Sequence, residues 1–132
     1  MSVIAAEGPM PKRVTMVAVV DDDPSMLKAA ADLLDARGFS VSLFTSAEEF
    51  LDSGEAEHVD CLLLDIHLGG LSGIELRQRL SALHPTLPVI FMTALDDDIV
   101  RQQALGVGCV ACLRKPFPAR QLIDALDRAI QH

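Results

Sequence analysis

The sequence has no tryptophan, no tyrosine and only 5 phenylalanines in 132 residues. The missing tryptophan removes the usual intrinsic-fluorescence reporter. Basic residues are also scarce, 11 against 19 acidic, so the formal net charge is −8. That balance argues against a nucleic-acid surface within these residues, because neutralising phosphates needs a basic patch. No apolar run approaches the roughly 18 residues of a membrane-spanning helix. Val3-Ile4-Ala5-Ala6 is too short for a signal-peptide core and lacks a basic start. Glutamate is rare beside aspartate, 6 against 13. Aspartate is short, favours turns and loop ends, and is a good ligand for hard cations.

What is present describes one folded domain. Half the residues are apolar, too many for a disordered chain. A chain this long buries about two thirds of its unfolded surface and needs no disulfide or metal to fold. Cys61, Cys109 and Cys112 are an odd number, which is no disulfide framework and fits a reducing, cytoplasmic compartment. Cys109 and Cys112 form a C-x-x-C, but the segment reads as a strand. Residues three apart in a strand face opposite sides, about 10 Å from each other. A disulfide needs Cα atoms within about 7 Å, and no second pair completes a zinc site. The expectation is small thiols buried in a core strand.

Five strand–helix units follow one another. Residues 1–13 carry Gly8, Pro9, Pro11 and charges and read as a flexible lead-in, leaving 14–132 as the domain. Met16 to Val20 is a continuous apolar run, as expected of a strand covered on both faces. It stops at Asp21-Asp22-Asp23. Pro24 suits a first helical position, Leu27, Ala30 and Leu34 follow at helical spacing, and Gly38 closes the helix. Val41 to Phe44 is a second strand. Ser46 with Glu49 reads as a capping box for a short helix. Cys61 to Leu64 is a third buried strand, ending at Asp65. A loop with Gly69, Gly70 and Gly73 leads to a helix with Leu76, Leu80 and Leu83 on one face. Val89 to Met92 is a fourth strand, ending at Thr93. A weaker helical stretch spans Asp96 to Leu105 and is broken by Gly106 and Gly108. Val110 to Leu113 is the fifth strand, ending at Arg114-Lys115-Pro116. A last helix turns Leu122, Ile123, Leu126 and Ile130 inward. Buried strands alternating with helices predict a parallel sheet covered on both faces.

In such a sheet, ligands bind beyond the carboxyl ends of the strands, where strand order reverses. For the order 2-1-3-4-5 that point lies between strands one and three. Strand one delivers Asp21 and Asp22 there, strand three Asp65, strand four Thr93 and strand five Lys115. Three carboxylates a few Å apart repel, so they take up protons or a cation. Oxygen ligands with open positions favour Mg²⁺, which bridges readily to phosphate. One carboxylate can then attack a phosphoryl group, with the Thr93 hydroxyl and Lys115 meeting the phosphoryl oxygens. Asp65 stands alone at the end of a more central strand and is the best nucleophile candidate. Taken singly, each feature has an ordinary explanation: acid runs cap helices, and lone Thr or Lys residues are usually structural or solvated. The weight lies in five such residues at all five expected strand ends. His67 lies beside the site, but imidazole is a poor partner for Mg²⁺, and it reads as a loop side chain shaping access.

At these residues the chain resembles the receiver domain of bacterial response regulators, the phospho-accepting half of two-component signalling. The resemblance covers residues 14 to 131. It rests on Val19-Val20-Asp21-Asp22-Asp23, on Leu63-Leu64-Asp65 with Leu68, Leu71 and Gly73, on Met92-Thr93-Ala94, and on Lys115-Pro116-Phe117. Phe44-Thr45-Ser46-Ala47-Glu48-Glu49-Phe50-Leu51 is similar to regulators with a C-terminal helix-turn-helix output domain. The resemblance implies a flavodoxin-like, doubly wound α/β fold with Asp65 as phosphoryl acceptor. It makes Asp21 and Asp22 the acidic metal pair, Asp22 foremost as direct ligand, with the His67 backbone carbonyl also on Mg²⁺. It makes Thr93 the switch hydroxyl, Ala94 the small residue leaving room for phosphate, Lys115 the phosphate-pairing cation, and Lys115–Pro116 a cis bond. Two departures stand out. Cys112 occupies a position where the family usually has Tyr or Phe, and Gly69 one where it usually has Pro, so that loop loses a φ restraint.

By the same resemblance the chain is not an enzyme in its own right. A histidine kinase or phosphotransfer protein gives phosphate to Asp65, and the switched face is built from the fourth helix, fifth strand and fifth helix; the domain is expected to be either a monomer or a phosphorylation-dependent dimer through that face. DNA is contacted only by an output domain, if one is attached. Two alternatives stay open. One is a Mg²⁺-dependent phosphohydrolase with an aspartyl nucleophile, which wants a second acid two residues on, as Asp23 is to Asp21. The other is a degenerate receiver serving only as a docking surface. The chain stops where the last helix is expected to end, as in single-domain regulators, and a receiver cut from a longer transcription factor would end in the same place.

Overall fold

The computed structural model describes residues 14–94 and 96–130, so the lead-in read at 1–13 lies outside the described residues. Five strands, β1 (Met16–Val20), β2 (Ser40–Phe44), β3 (Cys61–Asp65), β4 (Val89–Thr93) and β5 (Ala111–Arg114), alternate with five helices. These are α1 (Pro24–Ala36), α2 (Ala47–Ser53), α3 (Gly73–Leu83), α4 (Asp98–Val107) and α5 (Ala119–Ile130). The strands form one parallel sheet in the order β2-β1-β3-β4-β5.

Side chains alternate across a strand, so each central strand feeds two cores. Ala18, Val20, Leu62, Leu64 and Phe91 face α2, α3 and α4, where Phe50, Leu76, Leu80 and Ala104 meet them. Val17, Val19, Leu63, Ile90 and Met92 face α1 and α5, against Leu27, Leu34, Leu122 and Leu126. The uninterrupted apolar runs are the signature of this two-sided burial. Fully burying each such Leu, Ile or Phe is worth about 1.5–3 kcal/mol. Phe44 and Phe50 meet edge to face, centroids 5.2 Å apart, and fix α2 on β2.

Several local expectations are corrected. The Ser46–Glu49 pair is half a capping box: Ser46 Oγ accepts from the Glu49 amide, but the Glu49 carboxylate accepts from Thr45, one residue early. The complete box is Ser72–Glu75 at the start of α3. Leu83, expected on the buried face of α3, is the last residue of that helix and is 70% exposed. Gly106 does not break α4, which runs to Val107 and ends at Gly108 with φ of 90°. In α5 the tight contacts are Leu122, Ala125, Leu126 and Ala129, while Ile123 and Ile130 are only half-buried. Cys109 precedes β5 and packs on the same core as Cys112, not on the opposite face. Both thiols are free and half-buried, and burial pushes both pKa values up. Among the described residues no helix is long and apolar enough to cross a membrane.

Candidate functional site

Parallel strands carry their carboxyl ends to one edge, and the register there sets the site. Val20 pairs with Leu64, so Asp21 and Asp65 stand side by side one residue further on. Asp65 pairs with Met92, which puts Thr93 just past it, and Thr93 pairs with Arg114, which presents Lys115. The Lys115 amide donates to the Thr93 carbonyl at 2.7 Å, and the Lys115–Pro116 bond is cis, as the resemblance implied.

The three acids have different surroundings. Asp21 is fully buried: Oδ1 accepts from the Asp23 amide at 2.9 Å and Oδ2 from Lys115 Nζ at 2.6 Å. Asp65 is 5% exposed, with Oδ1 accepting from the His67 amide at 3.2 Å and Oδ2 lying 3.5 Å from Lys115 Nζ. Asp22 is exposed. One carboxylate oxygen from each of the three lies within 4.8 Å of the others. Burial and the neighbouring Asp21 charge raise the Asp65 pKa, against the pull of Lys115 and the His67 amide. Burial pulls Lys115 down, but the hydrogen bond to Asp21 and the charges of Asp65 and Asp21 outweigh it and lift its pKa. One ammonium against three ionised carboxylates leaves two negative charges unmatched. An all-oxygen donor set with that excess fits a hard divalent cation.

Thr93 is buried at the end of β4 and Ala94 is exposed beside it. A cavity of about 570 Å³ between α1 and α5 is lined by Ala94, Lys115, Met26 and Phe117. His67 joins the site through its backbone amide, while its exposed side chain lines a separate cleft between α3 and α4. Asp23 is the N-cap of α1, its Oδ1 accepting from the Ser25 amide at 2.9 Å.

Two residues near the acceptor loop were not singled out for the roles they hold. Gly73, one of the residues that carry the resemblance but otherwise read as a loop glycine, is the first residue of α3 and lies directly against the Asp65 backbone. A Cβ there would collide with the Asp65 carbonyl oxygen and lie 2.9 Å from Ile66 Cα. Glu48 of α2 reaches across to accept from the Leu71 amide at 2.9 Å. Nothing local in the sequence signals either contact.

Comparisons with known proteins agree with this geometry. Residues 17–127 match the family model of the response regulator receiver domain. The transcriptional regulatory protein FixJ of Bradyrhizobium diazoefficiens is 36% identical over 113 residues, which is 86% of this chain and 55% of that protein. The DNA-binding transcriptional regulator NtrC of Klebsiella pneumoniae is 37% identical over 114 residues, 86% of this chain and 24% of that protein. The chain thus spans about half or less of the curated relatives it matches. The structure of the beryllofluoride-activated receiver domain of DrrB, a Thermotoga maritima protein, superposes with a TM-score of 0.84 at 28% identity, covering 91% of this chain and all of that one. By sequence match, strand order and the placing of its acids, the chain belongs to the response regulator receiver domain family of two-component signalling.

Proposed function

We propose that Asp65 accepts a phosphoryl group from a histidine kinase or a histidine phosphotransfer protein, and that the resulting aspartyl phosphate switches the domain. The observation that carries this reading is the meeting of Asp65 with Asp21, Asp22 and Lys115 at one sheet edge, from three separate strand ends. A carboxylate oxygen of Asp65 attacks phosphorus, the bond to the donor breaks, and the donor leaves with its electron pair. Asp21 is held more tightly, by Lys115 at 2.6 Å and the Asp23 amide at 2.9 Å, than Asp65, whose contacts are 3.2 and 3.5 Å, which favours Asp65 over Asp21 as the nucleophile. Asp21, Asp22, Asp65 and the His67 carbonyl would hold Mg²⁺. When bound, Mg²⁺ offsets the charge on the transferring phosphoryl oxygens. Lys115 pairs with one phosphoryl oxygen, the Thr93 hydroxyl donates to another, and Ala94 leaves space for the group. The switched surface is the face of α4, β5 and α5, where Ile99 and Leu105 are exposed. That face serves the output and phosphorylation-dependent dimerisation. Its net charge of −8 argues against DNA contact by the domain itself, and its three free thiols fit a reducing, cytoplasmic compartment.

The test is incubation with Mg²⁺ and acetyl phosphate followed by intact-mass measurement. One added phosphoryl mass is expected on the natural chain and none on Asp65→Asn. Equal labelling of the variant, or no adduct together with no beryllofluoride binding, overturns the proposal. The phosphohydrolase reading is weakened, because one oxygen of Asp23, its candidate general acid, is taken up in capping α1. Multiple turnover of a phosphate monoester would revive it.

A further inference from the structure

The loop from Ile66 to Ser72 carries the His67 carbonyl, and its backbone ties are few. The Ile66 amide is held by Met92 and its carbonyl by the Gly73 amide, the His67 amide by Asp65 and the Ser72 amide by Glu75, while Leu68 and Leu71 pack partly buried on the core. Between them the chain passes through Gly69 and Gly70, the latter at φ of 88°. Two adjacent glycines impose little backbone restraint of their own. Among the described residues, the one hydrogen bond from a distant helix into this arc is Glu48 Oε2 accepting from the Leu71 amide at 2.9 Å. The same oxygen lies directly over Gly70, 2.8 Å from where a Cβ would stand. Glycine suits this position by its left-handed φ and leaves room for the Glu48 carboxylate over the loop. The Leu71 amide holds the Glu48 carboxyl below the usual carboxylate range, so it is ionised and a strong acceptor throughout the neutral region.

We infer that Glu48 is a positioning residue for the divalent-cation site, clamping the Gly69–Gly70 loop that follows His67 and so restricting where the His67 carbonyl can lie. The inference rests on the proposed function above, since the carbonyl matters only if the site holds a cation. Glu48 touches neither the cation nor the phosphoryl group. It acts through three residues of backbone, in the way that outer partners of a metal ligand commonly set affinity without binding the metal.

The test titrates Mn²⁺ into the natural chain and into Glu48→Ala, Glu48→Asp and Glu48→Gln, reading free Mn²⁺ by electron paramagnetic resonance. It also measures the Mg²⁺ dependence of labelling by acetyl phosphate. Glu48→Ala and the shorter Glu48→Asp are expected to weaken Mn²⁺ binding roughly tenfold, the low end for loss of an outer-shell partner. Glu48→Gln, which keeps an acceptor of the same reach, should recover most of the affinity. The Mg²⁺ concentration for half-maximal labelling should rise in parallel, while the rate at saturating Mg²⁺ stays unchanged. A merely structural role would lower the maximal rate or the folded fraction instead. Mn²⁺ affinity in Glu48→Ala within twofold of the natural chain overturns the inference. If the natural chain neither binds Mn²⁺ nor labels, it is the underlying functional reading that fails.

Discussion

Replacing Gly73 by alanine tests whether this glycine is present for clearance and not for a turn. Its backbone is helical, so alanine has no φ penalty and gains helix propensity of up to about 1 kcal/mol. The added Cβ, however, strikes the Asp65 carbonyl oxygen and stands 2.9 Å from Ile66 Cα and 3.0 Å from the Asp65 carbonyl carbon. Carbon atoms in contact sit about 3.5–4.0 Å apart, so α3 must retreat from β3 by about 1 Å. All three obstacles are backbone and cannot swing aside. The retreat also stretches the 3.0 Å hydrogen bond from the Gly73 amide to the Ile66 carbonyl. Overpacking of this kind costs about 1–3 kcal/mol and a weakened hydrogen bond about 1 more. We expect Gly73→Ala to be destabilised by about 2–3 kcal/mol, a fall of roughly 10 °C in Tm for a domain of this size. The control is Gly69→Ala, four residues earlier, where a Cβ meets nothing within 4 Å and φ is not left-handed. It should be neutral or up to about 1 kcal/mol more stable, because the unfolded chain loses freedom. Urea denaturation followed by far-ultraviolet circular dichroism measures both without tryptophan. A Gly73→Ala protein within 0.5 kcal/mol of the natural chain (about the noise of such fits), or a Gly69→Ala protein equally damaged, refutes the reasoning.

Other consequences concern the charges. Because burial and Asp21 raise the Asp65 pKa, the folded chain binds a proton more tightly there than the unfolded chain does. Without divalent cations, stability therefore falls as pH rises from the ordinary carboxylate value through the Asp65 value, then levels off. Asp65→Asn removes that loss, so in chelator at pH 7 the variant should melt above the natural chain, with the gap closing toward pH 4; a gap that widens on acidification contradicts the assignment. Lys115→Met strips the one ammonium from buried Asp21, 2.6 Å away, and should cost about 2–3 kcal/mol in chelator, below the full buried-pair range because Lys115 is 18% exposed. Millimolar Mg²⁺ should return much of it, and a variant as stable as the natural chain in chelator would show that Asp21 does not depend on Lys115.

The strands were legible because their signal is local. Val17 to Val20, Leu62 to Leu64 and Val89 to Met92 are apolar at every position, which only two-sided burial explains. Site membership followed from them, since a parallel sheet sends every strand end to one edge. Helix ends were harder to read. Ser46–Glu49 and Ser72–Glu75 have the same spacing, yet only the second closes both hydrogen bonds, because the entry angle of the chain into each helix differs. Leu83 and Leu80 both fit a helical stripe, but Leu80 is buried while Leu83, at the helix end, is open to solvent. Cys109 and Cys112 share a core because a bend precedes β5, which the C-x-x-C spacing does not disclose.

The sequence by itself determined the alternation of strands and helices and the set of acids, hydroxyl and ammonium at the strand ends. Both follow from patterns a few residues long together with the handed, parallel winding such patterns impose. Only the tertiary structure decided how those residues divide the work. It buried Asp21 under Lys115 while leaving Asp22 open, laid Gly73 on the Asp65 backbone, and brought Glu48 to Leu71, 23 residues away. These contacts join separate elements, and fractions of an ångström in how the helices dock on the sheet decide whether they form.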